Sequence, residues 1–258
     1  MTRFFIVLLI ACIGLHAHAD EKILSFHSDI QVAADGSMQV SETITVNAEG
    51  DRIQRGIYRD FPTDYADRYG NRVKVAFEPQ EVSRDGRPEP WHSERLSNGT
   101  RVYFGSADVY LDSGEHTYVF RYRTTRQLGF FEDHDELYWN VTGNGWEFTI
   151  DQASASISLP ATVPPEQIKL EAYTGLQGGK GRNYESKLDS DGRGQFVTTR
   201  ALGPAQGLTI VESFPKGVVQ PPDSGQKLRW FVEDNRREGV LGAGLLVMLG
   251  FLYLQWRR

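Results

Sequence analysis

Residues 38–46 read Met-Gln-Val-Ser-Glu-Thr-Ile-Thr-Val. Met38, Val40, Ile44 and Val46 fall on one side of an extended chain and Ser41, Thr43 and Thr45 on the other, the two-residue period of a half-buried strand. The pattern recurs downstream. Val73, Val75 and Phe77 oppose Lys74 and Glu78, while Tyr118, Phe120 and Tyr122 oppose Thr117, Arg121 and Arg123. Leu137, Trp139 and Val141 continue it, as do Ala155, Ile157 and Leu159 opposite Ser154, Ser156 and Ser158, and residues 196–199 and 208–211 supply late strands. Between the runs stand Asp35-Gly36, Tyr69-Gly70-Asn71, Asp85-Gly86, Asn98-Gly99, Ser113-Gly114 and Asp191-Gly192, which favour tight turns. No helical period competes before the C-terminus. Short strands at this spacing predict an all-β chain, an immunoglobulin-like antiparallel β-sandwich.

The chain has 258 residues, 40% hydrophobic and 12% aromatic, enough apolar material for a sizeable core. Its 28 basic residues against 34 acidic ones leave a net charge of −6, which argues against nucleic acid as a partner. The acidic excess grows once the ends are set aside, because Arg3, Arg257 and Arg258 lie in them and every acid lies between. Arg3, the charge-free run 4–15 and the Ala17-His18-Ala19 cleavage pattern mark residues 1–19 as a secretory signal peptide. The single cysteine, Cys12, sits inside it in a weak lipobox-like context, so the exported part relies on packing and not on disulfides.

Residues 239–256 carry no charge and read as a single membrane-spanning helix, with Tyr253 and Trp256 as interfacial aromatics and Arg257-Arg258 on the cytoplasmic side. The chain stops shortly after, as either a short single-pass protein or the front of a longer one. Between the ends the expected parts are a first β domain over 20–150, a smaller second one over 151–215 and a linker and juxtamembrane segment over 216–238. That segment contains Pro221-Pro222 and Gly225, with Trp230 and Phe231 at the membrane interface.

Five stretches together resemble an uncharacterised bacterial family of membrane proteins whose extracytoplasmic N-terminal part is the domain of unknown function 2207. They are Ile30-Gln-Val32 through Asp35-Gly36 to Val40-Ser-Glu-Thr-Ile-Thr-Val46, then Arg55-Gly-Ile-Tyr-Arg-Asp-Phe-Pro62, then Glu136-Leu-Tyr-Trp-Asn-Val-Thr-Gly-Asn-Gly-Trp146. Leu159-Pro160 and Gly207-Leu-Thr-Ile-Val211 before Phe214-Pro-Lys-Gly217 complete the set. The resemblance runs from residue 23 to about 256. It implies an exported β domain followed by a membrane anchor and carries over no catalytic residue. With the signal peptide and Arg257-Arg258, the expected location is the bacterial cell membrane, the β region extracytoplasmic (periplasmic) and the C-terminus cytoplasmic. Family members usually continue into further membrane helices, a point at which this sequence departs.

Three groups of residues stand out as candidate sites. Glu42 occupies the otherwise apolar face of the 38–46 strand and needs a partner there, for which Arg55 and Arg59 are the candidates. Glu132, Asp133, His134, Asp135 and Glu136 pack four acids and a histidine into five consecutive positions, a donor set that could hold Ca²⁺ or a transition metal if it converged. Tyr58, Tyr138, Asn140 and Trp146 combine aromatic faces with an amide, as a carbohydrate site does. On a strand Trp139 should turn inward with Leu137 and Val141, leaving Tyr138 and Asn140 outside. No nucleophile elbow, phosphate loop or cysteine motif is present, the lone Cys12 lying in the signal peptide.

These features predict a membrane-anchored, extracytoplasmic, non-enzymatic module that binds an envelope protein or a cell-wall glycan and needs no cofactor. A rival reading makes the 132–136 carboxylates the acid and base of an envelope hydrolase. A third makes the chain a spacer within a longer membrane protein.

Overall fold

In the computed structural model, which describes residues 20–66 and 69–257, the 38–46 alternation holds along its whole length. The strand it lies in, Met38–Ala48, buries every second side chain, Glu42 included. The expected signal peptide and Cys12 lie outside the described residues.

In chain order the strands are β1 (Lys22–Val32), β2 (Met38–Ala48), β3 (Gly56–Pro62), β4 (Asp64–Ala66), β5 (Arg72–Lys74) and β6 (Phe77–Arg84). There follow β7 (Arg87–Pro88), β8 (Trp91–Arg95), β9 (Gly99–Gly105), β10 (Gly114–Thr124), β11 (Leu128–Phe130) and β12 (Asp135–Asn140). The last are β13 (Ile150–Ser158), β14 (Lys169–Gly175), β15 (Tyr184–Leu188), β16 (Gly194–Thr198) and β17 (Gly207–Phe214), before helices α1 (Ser224–Asp234) and α2 (Arg236–Trp256). Turn chemistry sets the hairpins. Asp85 and Gly86 both have positive φ, 52° and 75°, so β6 reverses into β7 through a two-residue loop.

The largest sheet has the order β15-β16-β13-β1-β2-β10-β6-β7, with a four-stranded sheet β11-β12-β17-β14, a three-stranded sheet β3-β9-β8 and the hairpin β4-β5. Aromatic rings tie these layers together. Phe61 of β3 stacks on Phe77 of β6 at 4.1 Å and meets Tyr122 of β10 at 5.4 Å and Trp139 of β12 at 5.8 Å. Such ring pairs add to the burial of large apolar surfaces that holds the layers.

Two expectations need correction. The sheet is mixed, because β1 pairs with β13 in parallel, Ile30 opposite Ile157. Parallel neighbours need a long connection, which the intervening strands supply. The expected division near residue 150 also falls inside shared structure: β13, β16 and β15 extend the sheet begun by β1 and β2, and β12 pairs with β17. Residues from Ile23 to Val219 contribute to one hydrophobic core.

The expected linker over 216–238 is partly helical. Asp223, straight after Pro221-Pro222, caps α1 by accepting from the Gln226 amide at 2.7 Å. After it α2 covers the charge-free run over 239–256. Among the described residues no helix is long and apolar enough to cross a membrane.

Candidate functional site

The site is built on β3 and on the loop after β12, and its foundation is the Glu42 pair. Arg59 Nε donates to Glu42 Oε2 at 2.9 Å and Nη2 to Oε1 at 3.1 Å, while the Tyr122 hydroxyl donates to the same Oε1 at 2.8 Å. Burial alone would lower the Arg59 pKa, but the Glu42 carboxylate outweighs it and raises the guanidinium above its ordinary value. Burial, reinforced by Glu42, pushes the Tyr122 phenol well up. Arg55 does not share this carboxylate; it is exposed, with its guanidinium 4.2 Å from the Tyr110 ring centre.

Arg59 then reaches into the loop. Its Nη2 donates to the Val141 carbonyl at 3.0 Å. Gly143 lies against it with φ +73°, where a Cβ would stand 2.7 Å from Arg59 Nη1, so only glycine fits. Beyond Gly143 the loop is fixed by its own side chains. Asn140 Oδ1 accepts from the Gly143 amide at 3.1 Å, and its Nδ2 donates to Asn144 Oδ1 at 3.0 Å. Asn144 donates in turn to the Gly175 and Ala205 carbonyls, at 3.2 and 3.1 Å. Trp146 folds inward, its indole N–H donating to the Thr142 carbonyl at 2.8 Å and its ring edge-on to Phe26.

The result is a cleft of about 850 Å³. Tyr58, Tyr138, Asn140 and Trp146 all line it, together with Tyr65, Asn98, Gln127, Asn144, Tyr173 and the glycine-rich turn 175–179. Leu137, Trp139 and Val141 are buried as the alternation requires, leaving Tyr138 59% exposed on the rim. The glycine-rich stretch forms an ordered turn, with the Gly179 amide donating to the Leu176 carbonyl at 2.7 Å and Thr174 bridging to Gly181.

The cleft is nearly neutral. Of the charged lining residues among the described residues, Arg59 is matched by Glu42, and Asp60 takes a two-pronged contact from Arg101 at 2.6 and 2.8 Å, leaving Lys180. The Asp60 hydrogen bonds raise the Arg101 pKa. The Arg101 guanidinium also lies 3.9 Å from the Tyr58 ring centre, and Tyr103 stacks on His92 at 4.7 Å, so a shelf of flat groups adjoins the cleft on β3, β9 and β8.

The acidic stretch behaves differently. His134 Nδ1 meets Asp133 at 2.7 Å, and that bond lowers the Asp133 pKa. Asp135 turns inward onto Lys216 at 2.6 Å, Glu136 accepts from the Ser213 hydroxyl at 3.2 Å, and Glu132 is exposed. His134 also lies 3.8 Å from Glu136, but Asp135 and Glu132 turn elsewhere, and among the described residues no group of three or more His, Cys, Asp or Glu is placed to hold a metal ion.

Two features escaped the sequence reading. Glu212 is fully buried on β17, and neither of its oxygens meets a hydrogen-bond partner among the described residues. It lies under Gly194, where a Cβ would stand 2.0 Å from Oε2, and burial pushes its carboxyl up to about 8. Glu212 shares a strand face with Leu208, Ile210 and Phe214, the same signal that singles out Glu42. The second feature grips α1. Buried Asp234 accepts from the Lys74 amide at 3.1 Å and from Arg126 Nη2 at 2.7 Å, and Asn235 exchanges two bonds with the Arg72 backbone, at 2.9 and 3.0 Å.

The sequence matches the family of predicted membrane proteins with the DUF2207 N-terminal domain over residues 22–214. The uncharacterised protein YciQ of Escherichia coli is 26% identical over 243 residues, covering 93% of this chain; the chain spans 38% of that relative's length. Among solved structures, yeast LTA4 hydrolase with bestatin overlaps 75% of this chain and 28% of its own, with a TM-score of 0.48 and 13% identity. A zinc metallopeptidase of Deinococcus radiodurans overlaps 74% of this chain and 42% of its own, with a TM-score of 0.43 and 13% identity.

Proposed function

The chain belongs to the family of predicted membrane proteins with the DUF2207 N-terminal domain, and we propose that it is a membrane-anchored binding module of the bacterial cell envelope. In this reading residues 1–19 direct export, 239–256 span the membrane and the β region faces the periplasm. The module is non-enzymatic and takes a neutral stretch of cell-wall glycan in the cleft.

One observation carries the proposal: Tyr58 of β3 meets Tyr138, Asn140 and Trp146 of the distant β12 segment on one cleft of about 850 Å³ that is nearly neutral among its described lining residues. Aromatic faces at its rim suit the apolar faces of sugar rings, and the Asn98 amide and the backbone of the glycine-rich turn around them suit hydroxyl groups. With Arg59 and Asp60 already paired, Lys180 is the one charged lining residue among the described residues left to attract an anionic ligand.

The test is a thermal-shift panel on the full chain with neutral glycan fragments, Ca²⁺, Zn²⁺ or chelator, alongside a turnover assay on the same glycan. Ligand at about 100 times its dissociation constant should add roughly 2.7 kcal/mol. The proposal expects stabilisation by glycan, no response to metal and no products. Metal-dependent stabilisation or hydrolysis would replace it with the envelope-hydrolase reading.

A further inference from the structure

Helix α1 has two opposite faces, and the fold accounts for one of them. At 100° per residue, positions 226, 230 and 234 share a side. That side is held by the β region: Trp230 lies with the Arg126 guanidinium 4.5 Å from its ring centre, and Asp234 is tied to β5 and Arg126, while Asn235, which ends the helix, adds two bonds to Arg72. Arg126 is itself fixed in a left-handed conformation at φ 63°. Leu228, Phe231 and Val232, spaced three and four apart, form a stripe on the other side and are 64, 49 and 57% exposed. Lys227 and Arg229, both exposed, flank that stripe.

We infer that this outward stripe seats in the headgroup region of a lipid bilayer, so that α1 sets the height and orientation of the β region on the membrane. The inference rests on the membrane attachment proposed above. The occupant follows from continuity: α1 runs through Asn235 directly into α2, whose Leu241, Leu249, Phe251 and Leu252 are exposed. An apolar stripe with basic residues on both flanks suits the boundary between acyl chains and anionic headgroups, where long basic side chains reach outward to phosphate. The expected placement of Trp230 at the interface is revised accordingly. Its ring faces the β region, and Leu228, Phe231 and Val232 take the outward position.

The single cysteine, Cys12, makes spin labelling direct. Full chains carrying Cys12→Ser and one of Leu228→Cys, Arg229→Cys, Phe231→Cys, Val232→Cys, Glu233→Cys or Leu249→Cys are labelled and reconstituted in phosphatidylethanolamine and phosphatidylglycerol vesicles. Accessibility to oxygen and to a water-soluble nickel chelate then gives the depth of each label. Positions 228, 231 and 232 should favour oxygen severalfold over 229 and 233. If all five favour the chelate while 249 favours oxygen, the anchor stands and the seating of α1 falls. If 249 also favours the chelate, the attachment and the inference fall together. Spectral broadening at 228 and 231 that disappears on dilution with unlabelled chain would assign the stripe to a second copy and overturn the inference.

Discussion

Replacing Glu212 by glutamine should make the protein more stable at neutral pH, by an amount that depends on pH. The carboxyl is fully buried with no hydrogen-bond partner among the described residues, and its pKa is pushed from 4.5 to about 8 by burial. Between those values the unfolded chain has released the proton and the folded chain still holds it, so stability falls as pH rises. The favourable contribution is complete below pH 4.5 and lost by about pH 8. Each pH unit in that window is worth about 1.36 kcal/mol, so the cost is about 3 kcal/mol at pH 7 and about 5 at its ceiling. Glu212→Gln holds no titrating proton and removes the slope. At about 2–4 °C per kcal/mol for a protein of this size, its melting temperature should exceed the parent's by about 10 °C at pH 7 and approach it at pH 4.5. Melting curves of both proteins from pH 4.5 to 8.5 provide the assay. A difference that stays constant across that range, or a glutamine variant less stable at pH 8, would refute the buried-acid account.

Glu42→Ala should cost about 3–5 kcal/mol because it strands a buried guanidinium, whereas Glu42→Leu with Arg59→Met should recover most of that loss in chemical denaturation. Asp234→Ala should free α1, raising amide hydrogen exchange over 224–234 while leaving the core strands protected; unchanged exchange there would show that the Arg126 and Lys74 contacts do not hold the helix.

Much of the fold was legible because a half-exposed strand writes its faces into alternate residues. Met38 to Val46 and Leu137 to Val141 are placed as their alternation requires, and Glu42 stood out because it broke an apolar row. The same rule applied to Leu208, Ile210 and Phe214 would have exposed Glu212. What the alternation does not encode is which strands become neighbours. The parallel pairing of β1 with β13 joins residues more than a hundred positions apart, so a boundary near residue 150 looked reasonable from local composition.

The site shows the same division between local and distant signals. Aromatic and amide residues pointed to the cleft, but the sequence could not show that Asn140 and Asn144 spend hydrogen bonds on shaping its loop, nor that the turn 175–179 closes one side. The acidic stretch 132–136 was conspicuous in composition only. Consecutive residues on a turn and a strand point in different directions: Asp135 is drawn to Lys216 and Glu136 to Ser213, while His134 reaches Asp133 and Glu136, and Glu132 faces solvent.

The cleft is tested most directly by calorimetric titration of the full chain with neutral cell-wall glycan oligomers, comparing the parent with Tyr138→Ala and Tyr58→Ala. Saturable binding is expected, weakened about fivefold by each substitution, equivalent to roughly 1 kcal/mol per aromatic face. Absence of binding at millimolar glycan, or binding that both variants retain unchanged, would contradict the assignment of this cleft as the ligand site.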